Sequence, residues 1–385
     1  MGGEVTRLGA AGFCAIAVSF GPARAGYGLF LPDFREEFGL SIELSGLVAS
    51  GLQAGYLAAL VAVGLLVART GARALILLGM LAAGGGMALV AFAPGAPVLA
   101  IGVVVAGMSA GWAWAPYNDA VESAVPRRLR GRVLSVISTG TTFGVLAAGL
   151  TALLADEAWR TAWVVFALSA VAAGAMNLAF VRGGSVSPRG TSGPRFLVRR
   201  GAVPLFGVAF SFGAVSAFYW AFAVELVSRS VALPVAAGPL FYVVVGLAGF
   251  AGLFTGDAVR RFGIVRVLLA VMATLTLAAG LLAGAPGVLA ACGASAAFYG
   301  VGVMAMSSLL AIWSSLAFPE GPSTGFSATL LFFGVGCVAG PAVLGGLAGS
   351  AGLETAFAVA AAVTLLTAAA AFLPPGEPAE VHPRS

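Results

Sequence analysis

Apolar runs long enough to cross a lipid bilayer recur along nearly the whole chain, separated by short turns rich in glycine, proline and charged residues and by one longer segment. A helix needs about 20 apolar residues to span a hydrocarbon core of about 30 Å. Run length and turn punctuation therefore predict an all-α membrane protein with twelve membrane-spanning helices. Their approximate bounds are 8–31, 44–68, 74–93, 97–121, 131–154, 160–181, 203–227, 234–256, 264–284, 287–313, 324–348 and 353–373.

Composition agrees with this fold class and excludes several functions. Of the 385 residues, 60% are hydrophobic and only 9% are charged, which is too few charges to cover a soluble globule of this size. All 20 basic residues are arginines, so a phosphate-binding or Schiff-base lysine is absent, and the one histidine, His382, lies in the proline-rich tail. We therefore expect no cofactor, no metal centre and no enzymatic activity. We attribute the net charge of +5 to membrane topology rather than to nucleic-acid binding.

Arginines are distributed unequally between the two sides of the predicted membrane. If the N-terminus is cytoplasmic, sixteen arginines fall on the inner side, Arg35, Arg160 and Arg229 fall on the outer side, and Arg24 lies within the first predicted helix. Short loops that carry an excess of arginine and lysine face the cytoplasm. The distribution predicts a multi-pass protein of the plasma (cytoplasmic) membrane with both termini in the cytoplasm.

The chain consists of two related halves joined by a linker. Residues 182–202 are rich in glycine, serine, proline and arginine, a composition that cannot bury a core. Segments on either side repeat at a spacing of 192 residues, so that Gly71 returns as Gly263 and the Ser-Phe-Gly at Ser19 returns at Ser211. Six spans in each half is an even number, which predicts pseudo-symmetric halves related by an axis along the membrane normal. The predicted organisation is a first half at 1–181, a cytoplasmic linker at 182–202, a second half at 203–374 and a cytoplasmic tail at 375–385.

The turn after the second predicted helix carries a recognisable motif. It reads Gly64-Leu65-Leu66-Val67-Ala68-Arg69-Thr70-Gly71-Ala72-Arg73. This resembles the Gly-x-Leu-x-Asp-Arg-x-Gly-Arg signature of the major facilitator superfamily, with Ala68 in place of the acid, whereas the second copy holds Asp257 one turn earlier. With its twelve helices, the chain resembles a prokaryotic member of that family. The resemblance implies a transporter whose first, fourth, seventh and tenth helices line a central cavity, with Arg69 and Asp257 in gating or coupling.

Arg24 is the one charged residue deep inside the first apolar run. It lies eight residues before Pro32, which places it about 12 Å below that boundary at about 1.5 Å per residue. A charge at such depth costs about 3 kcal/mol on insertion scales, so it needs a compensating role. One interpretation is a cation that holds the anionic part of a substrate. The alternative is a structural residue that pairs with Gln53 or extends outward toward Asp33.

Polar and aromatic residues concentrate on the four helices that the resemblance assigns to the cavity. Large rings in membrane helices also serve plain packing, and Asp119 has the alternative role of fixing a cytoplasmic turn. The predicted substrate-binding residues are Arg24, Tyr27, Gln53, Trp112, Trp114, Asn118, Ser216, Tyr219, Trp220 and Tyr299. The predicted gating or coupling residues are Asp33, Glu225, Asp119, Arg69 and Asp257.

These features predict a permease that moves a small organic solute by alternating access. The solute is expected to be anionic or aromatic, with efflux favoured over uptake, and the protein is expected to act as a monomer in the lipid bilayer. No acid lies near the middle of any predicted span, so protons as the coupling ion and an uncoupled facilitator both remain open. The alternative class is a polytopic membrane enzyme acting on lipid-like substrates.

Overall fold

The computed structural model describes residues 3–155, 158–181, 202–230, 233–319 and 322–369, and within this part of the chain the regular structure is entirely helical. The predicted linker, apart from Ala202, and the predicted tail lie outside the described residues. In the first half, α1 is Gly3–Leu29, α4 is Ala96–Ala124, α5 is Arg127–Ala155 and α6 is Trp159–Phe180, while Ile42–Ala91 supplies both α2 and α3. In the second half, α7 is Val203–Ser228, α8 is Ala237–Phe262, α9 is Ile264–Gly284, α10 is Leu289–Ala317, α11 is Pro322–Ala351 and α12 is Leu353–Ala368.

The prediction of twelve membrane-spanning helices is confirmed. Ile42–Ala91 has 50 residues, far more than one span needs, and it breaks at Gly71, so residues 42–70 form α2 and residues 72–91 form α3. The last helix, α12, is the shortest, and a further short helix, Leu31–Phe38, follows α1.

The turns between the second and third helices of each half, on the side that the sequence predicts to be the inner one, are built alike. Gly71 has φ 75° and ψ 161°, and Gly263, its counterpart 192 residues later, has φ 83° and ψ 154°. Both lie in the positive-φ region that L side chains avoid and glycine adopts freely. The chain therefore reverses within one residue at both turns, where the sequence predicts a loop of several residues after the second helix.

Small residues fix α1 and α7 inside their own halves. A Cβ atom on Gly144 of α5 would lie 2.0 Å from the carbonyl oxygen of Ala17 on α1, and one on Gly340 of α11 would lie 2.1 Å from that of Ala214 on α7. Only glycine allows this approach of two backbones, as in small-residue contacts between membrane helices generally. The equivalent packing gives each half a rigid pair of helices at its centre.

The two halves are in contact on the outer side, which is the side of the turn at Gly95. A Cβ atom on Gly46 of α2 would lie 2.4 Å from the carbonyl oxygen of Pro341 on α11, so these helices touch through their backbones. Toward the inner side, Asn118 near the end of α4 and Ser315 near the end of α10 are exposed. The structure is thus closed on the outer side.

Candidate functional site

The first helix is interrupted where its charged residue lies. Pro22 has no backbone N–H, so it cannot donate the regular helical hydrogen bond at its position. Residues Gly21–Ala25 accordingly form a π-helical segment inside α1. Such bulges are frequent at functional sites because they displace side chains and backbone carbonyls from the regular helical positions. Arg24 is the fourth residue of this segment and is half-buried.

Two residues one turn apart on α2 hold the Arg24 guanidinium. Nη2 of Arg24 donates to Oε1 of Gln53 at 2.6 Å, and the guanidinium carbon lies 4.4 Å from the ring centroid of Tyr56. The Phe20 ring centroid is 5.6 Å away. Within the described residues, no ion pair joins Arg24 to a carboxylate, and this includes Asp33. All of its observed partners are neutral, so the positive charge is held but not cancelled.

Phe20, which contacts the Arg24 guanidinium, is half-buried, and so are two further aromatic residues, Trp114 and Trp220. Trp114 of α4 packs edge-to-face on Phe20 with 5.7 Å between ring centroids. From the second half, Trp220 of α7 packs edge-to-face on Tyr242 and on Tyr299, with 5.4 Å between centroids in both cases. Phe20, Trp114 and Trp220 each keep part of the ring accessible, in contrast to the fully packed rings nearby.

Ser216, Tyr219 and Tyr299, all predicted to contact substrate, are buried and bonded within the second half. The Ser216 hydroxyl lies 2.8 Å from the Tyr299 hydroxyl, and the Tyr219 hydroxyl is bonded to Ser295. The rings of Tyr219 and Tyr299 stack with 3.7 Å between their centroids. In this state, which is closed on the outer side, the polar atoms of these three side chains already have hydrogen-bond partners. The polar group that can still bind a solute is the Arg24 guanidinium.

The remaining predicted binding residues are separated from one another. Trp112 is buried in a cluster with Leu75 of α3, and Tyr27 is buried with its hydroxyl donating to the carbonyl oxygen of Ser45 at 2.8 Å. Asn118 is exposed near the inner end of α4. The structure therefore brings Gln53 to Arg24 but puts Tyr27 and Trp112 in packing positions inside the first half.

An ion-pair cluster joins the two halves on the outer side. Glu225 of α7 is only 3% exposed and accepts hydrogen bonds from Arg35 of the short helix and from Arg229, the latter at 2.9 Å. The residue that reaches Glu225 from the first half is thus Arg35, whereas the sequence repeat aligns Asp33 with it. Asp33 itself is half-buried, and burial raises the pKa of its carboxyl to about 6.

The predicted coupling residues at the inner ends are dispersed. Arg69 is exposed at the end of α2, and Asp257 pairs with Arg260 one turn along on the exposed surface of α8. Asp119 is half-buried near the end of α4. A contact that the sequence interpretation missed is Arg73, which donates to the carbonyl oxygen of Leu178 at 2.6 Å and so ties α3 to α6.

Sequence reasoning also missed Tyr56, Arg35 and Tyr242. Tyr56 had a usable signal, because it follows Gln53 by three residues and therefore shares its helix face. Arg35 and Tyr242 had none, since the partners that they reach across the halves, Glu225 and Ala25, lie about 190 or more residues away along the chain.

The comparisons with known proteins agree with this architecture. A family model described as the Major Facilitator Superfamily matches residues 11–331. A bacterial homologue of the human lysosomal transporter Spinster, solved in an inward-facing and occupied conformation, has a TM-score of 0.74 at 16% identity, covering 96% of this chain and 95% of that one. The nucleoside transporter NupG has a TM-score of 0.73 at 15% identity, covering 96% of this chain and 98% of that one. No curated protein sequence matches the chain. The chain belongs to the Major Facilitator Superfamily and is a membrane transporter.

Proposed function

We propose that this transporter moves a small organic anion with a single negative charge, and that Arg24 binds the anionic group. The observation that carries the proposal is the half-buried Arg24 guanidinium, whose observed partners in the described part of the chain are the neutral residues Gln53, Tyr56 and Phe20. A cation retained deep in a membrane span without a counter-ion is costly unless an anion comes to it. One unpaired cation matches one negative charge on the solute.

The surroundings support a carboxylate attached to a flat apolar group. A guanidinium presents N–H groups in a fork that matches the two oxygens of a carboxylate. The accessible ring surfaces of Phe20, Trp114 and Trp220 supply apolar contact from both halves. A dianion would carry a second charge into the low-dielectric site without a partner, so we expect monoanions to be preferred.

The proposal also covers the direction of transport and the coupling ion. We propose efflux as the direction, with the solute loaded from the inner side while the outer side is closed, in the plasma membrane with both termini cytoplasmic. We further propose that the protein works as a monomer with rocking halves at 1–181 and 203–374. Proton coupling is the second candidate, and its carrier would be Glu225, a buried carboxylate in the ion-pair cluster between the two halves.

The test measures ligand binding and apo stability together. Purified protein is titrated with benzoate, with neutral benzamide and with cationic benzylamine, three probes of nearly equal shape. Benzoate alone should raise the melting temperature. Arg24→Lys keeps the charge but loses the fork and should weaken benzoate binding, whereas Arg24→Gln should weaken it by roughly 30-fold to several thousand-fold, which corresponds to about 2–5 kcal/mol.

Gln53→Ala is the matched control, because it removes the observed partner of Arg24 but leaves the cation. It should change benzoate affinity far less than Arg24→Gln does. If Arg24→Gln binds benzoate as the wild type does while the empty protein melts lower, then Arg24 is a structural brace and the anion-site proposal is wrong.

A further inference from the structure

The hydroxyl group of Tyr242 lies where three helices from both halves meet. Tyr242 belongs to α8, is 1% exposed, and its hydroxyl oxygen is 3.0 Å from two carbonyl oxygens. One is that of Ala25 in the π segment of α1, and the other is that of Trp220 on α7. The first contact crosses between the halves, while the second stays inside the second half.

The two acceptors have different consequences when the outer side opens. A hydroxyl has one proton to donate, so the two carbonyls share it. If the halves separate, Tyr242 keeps the Trp220 carbonyl and no buried donor is left without a partner, whereas Ala25 moves away with α1. The contact can therefore break and re-form without the penalty that an orphaned buried hydroxyl would carry.

At Gly28 of α1 the neighbouring backbone leaves no room for a side chain. A Cβ atom on Gly28 of α1 would lie 1.8 Å from the Trp220 carbonyl oxygen and 3.0 Å from the Tyr242 hydroxyl oxygen. The glycine lets α1 approach α7 closely enough for the hydroxyl to reach Ala25. Ala25 also follows Arg24 directly in the same five-residue segment, so a shift of that carbonyl and a shift of the guanidinium are mechanically linked.

We propose that Tyr242 is a positioning residue of the transport cycle, whose hydroxyl holds the π segment of α1 against the second half and so couples the position of Arg24 to closure of the outer side. The hydroxyl acts through Ala25 and does not need to touch the solute. This inference concerns the empty transporter and stands independently of which anion is carried.

The test is hydrogen exchange of the peptides around residues 21–30 and 222–229 in the full-length protein. Their amide exchange rates follow the equilibrium constant for opening the outer interface. Tyr242→Phe removes the hydroxyl and keeps the ring against Trp220, so exchange should become roughly fivefold faster, as expected for loss of one hydrogen bond. Tyr117→Phe is the matched control, since the Tyr117 hydroxyl bonds to Asn177 within the first half, and it should leave both peptides unchanged.

A disulfide across the outer side identifies the cause of the faster exchange. A Cβ atom on Gly349 of α11 would lie 2.7 Å from Cγ of Glu43 on α2, so Glu43→Cys with Gly349→Cys can form a bond across the halves in a protein without its native cysteines. Oxidation should remove the effect of Tyr242→Phe, so that the oxidised variant exchanges as slowly as the oxidised protein that keeps Tyr242. Exchange that stays fast after oxidation reveals local loosening of α1 and overturns the proposal, as does an unchanged rate in Tyr242→Phe. If only Tyr242→Leu speeds exchange, the ring rather than the hydroxyl is responsible, and the proposal is equally wrong.

Discussion

Arg24 shows how one side chain is made tolerable inside a membrane span without being neutralised. Gln53 supplies one acceptor, and Tyr56 supplies a ring face at 4.4 Å, a distance at which cation–π attraction is substantial in a desolvated site. These contacts fix the orientation of the guanidinium but add no negative charge. The observed Gln53 contact was the structural alternative in the sequence interpretation, and it is compatible with a binding role because it engages only one nitrogen.

Asp33 gives a residue-scale prediction about pH. Burial raises its pKa in the folded protein to about 6, so the folded state binds this proton more tightly than the unfolded state does. The contribution of Asp33 to stability is therefore full below about pH 4 and declines as the pH rises to about 6. Asp33→Asn should raise the melting temperature at about pH 7.5 and leave it unchanged near pH 4, in a thermal scan across that range.

The neighbouring exposed residue serves as the control for this effect. Glu36→Gln removes a charge from the same short helix, but from an exposed position, and Glu36 makes a smaller contribution than burial to the raised pKa of Asp33. It should therefore change the pH profile of the melting temperature far less than Asp33→Asn does. A lower melting temperature for Asp33→Asn at the higher pH would mean that the charged carboxylate is stabilising after all.

Individual residues also mark what sequence alone can predict. The depth of Arg24 follows from counting along one helix, and Gln53 enters the next helix at about the same depth, so their meeting was foreseeable. The Arg35–Glu225 and Tyr242–Ala25 contacts were not, because they depend on how the two halves are rotated against each other. Helical periodicity constrains a face of one helix and carries no information about that rotation.

At the scale of the elements, apolar run length was sufficient to predict the number of helices and their order. The observed helix bounds differ from the predicted ones where the local backbone conformation determines where a helix ends. The sequence predicts a loop between the second and third spans, yet Gly71 reverses the chain in a single residue. The π segment in α1 was also not predicted, since proline alone does not determine whether a helix kinks, bulges or ends.

The paired turns give an element-scale prediction. Gly71→Ala and Gly263→Ala each force a Cβ atom into a positive-φ conformation, which costs about 1–2 kcal/mol. Each should lower the melting temperature by a few degrees, and the two losses should be similar because the turns are equivalent.

The control pair is Gly64→Ala and Gly256→Ala, also 192 residues apart. Both glycines are helical and exposed, and no neighbouring atom lies within 4 Å of the added Cβ. Those substitutions should be neutral or stabilising, and a loss there as large as at the turns would remove the backbone explanation.

At the scale of the whole molecule, the halves are similar in backbone but different in chemistry. The first half carries the accessible cation Arg24, and the aligned position in the second half is Ser216, which is buried in hydrogen bonds with Tyr299. Under the proposal that Arg24 binds the solute, the first half supplies the charge that holds it, and the second half supplies Trp220 and the closing contacts at Glu225. Such an asymmetric site lets the second half move against a solute that stays with the first.

The proposal that the two halves rock against each other as rigid bodies gives a prediction for the whole molecule. Oxidised Glu43→Cys with Gly349→Cys joins α2 to α11 across the halves on the closed side, so it should stop transport of a carried anion such as benzoate into or out of proteoliposomes, and reduction should restore it. The matched control is Gly9→Cys with Val133→Cys, which joins α1 to α5 inside the first half, where a Cβ atom on Gly9 lies 3.9 Å from a Val133 methyl carbon. A bond inside a rigid half should leave transport almost unchanged, because no distance within that half needs to alter.

Binding of benzoate in detergent should survive in both oxidised proteins, since the disulfides lie away from Arg24 and the locked state leaves the inner side accessible. Full transport by the oxidised cross-half protein would contradict rocking of two bodies and would require a path through a permanently closed outer side.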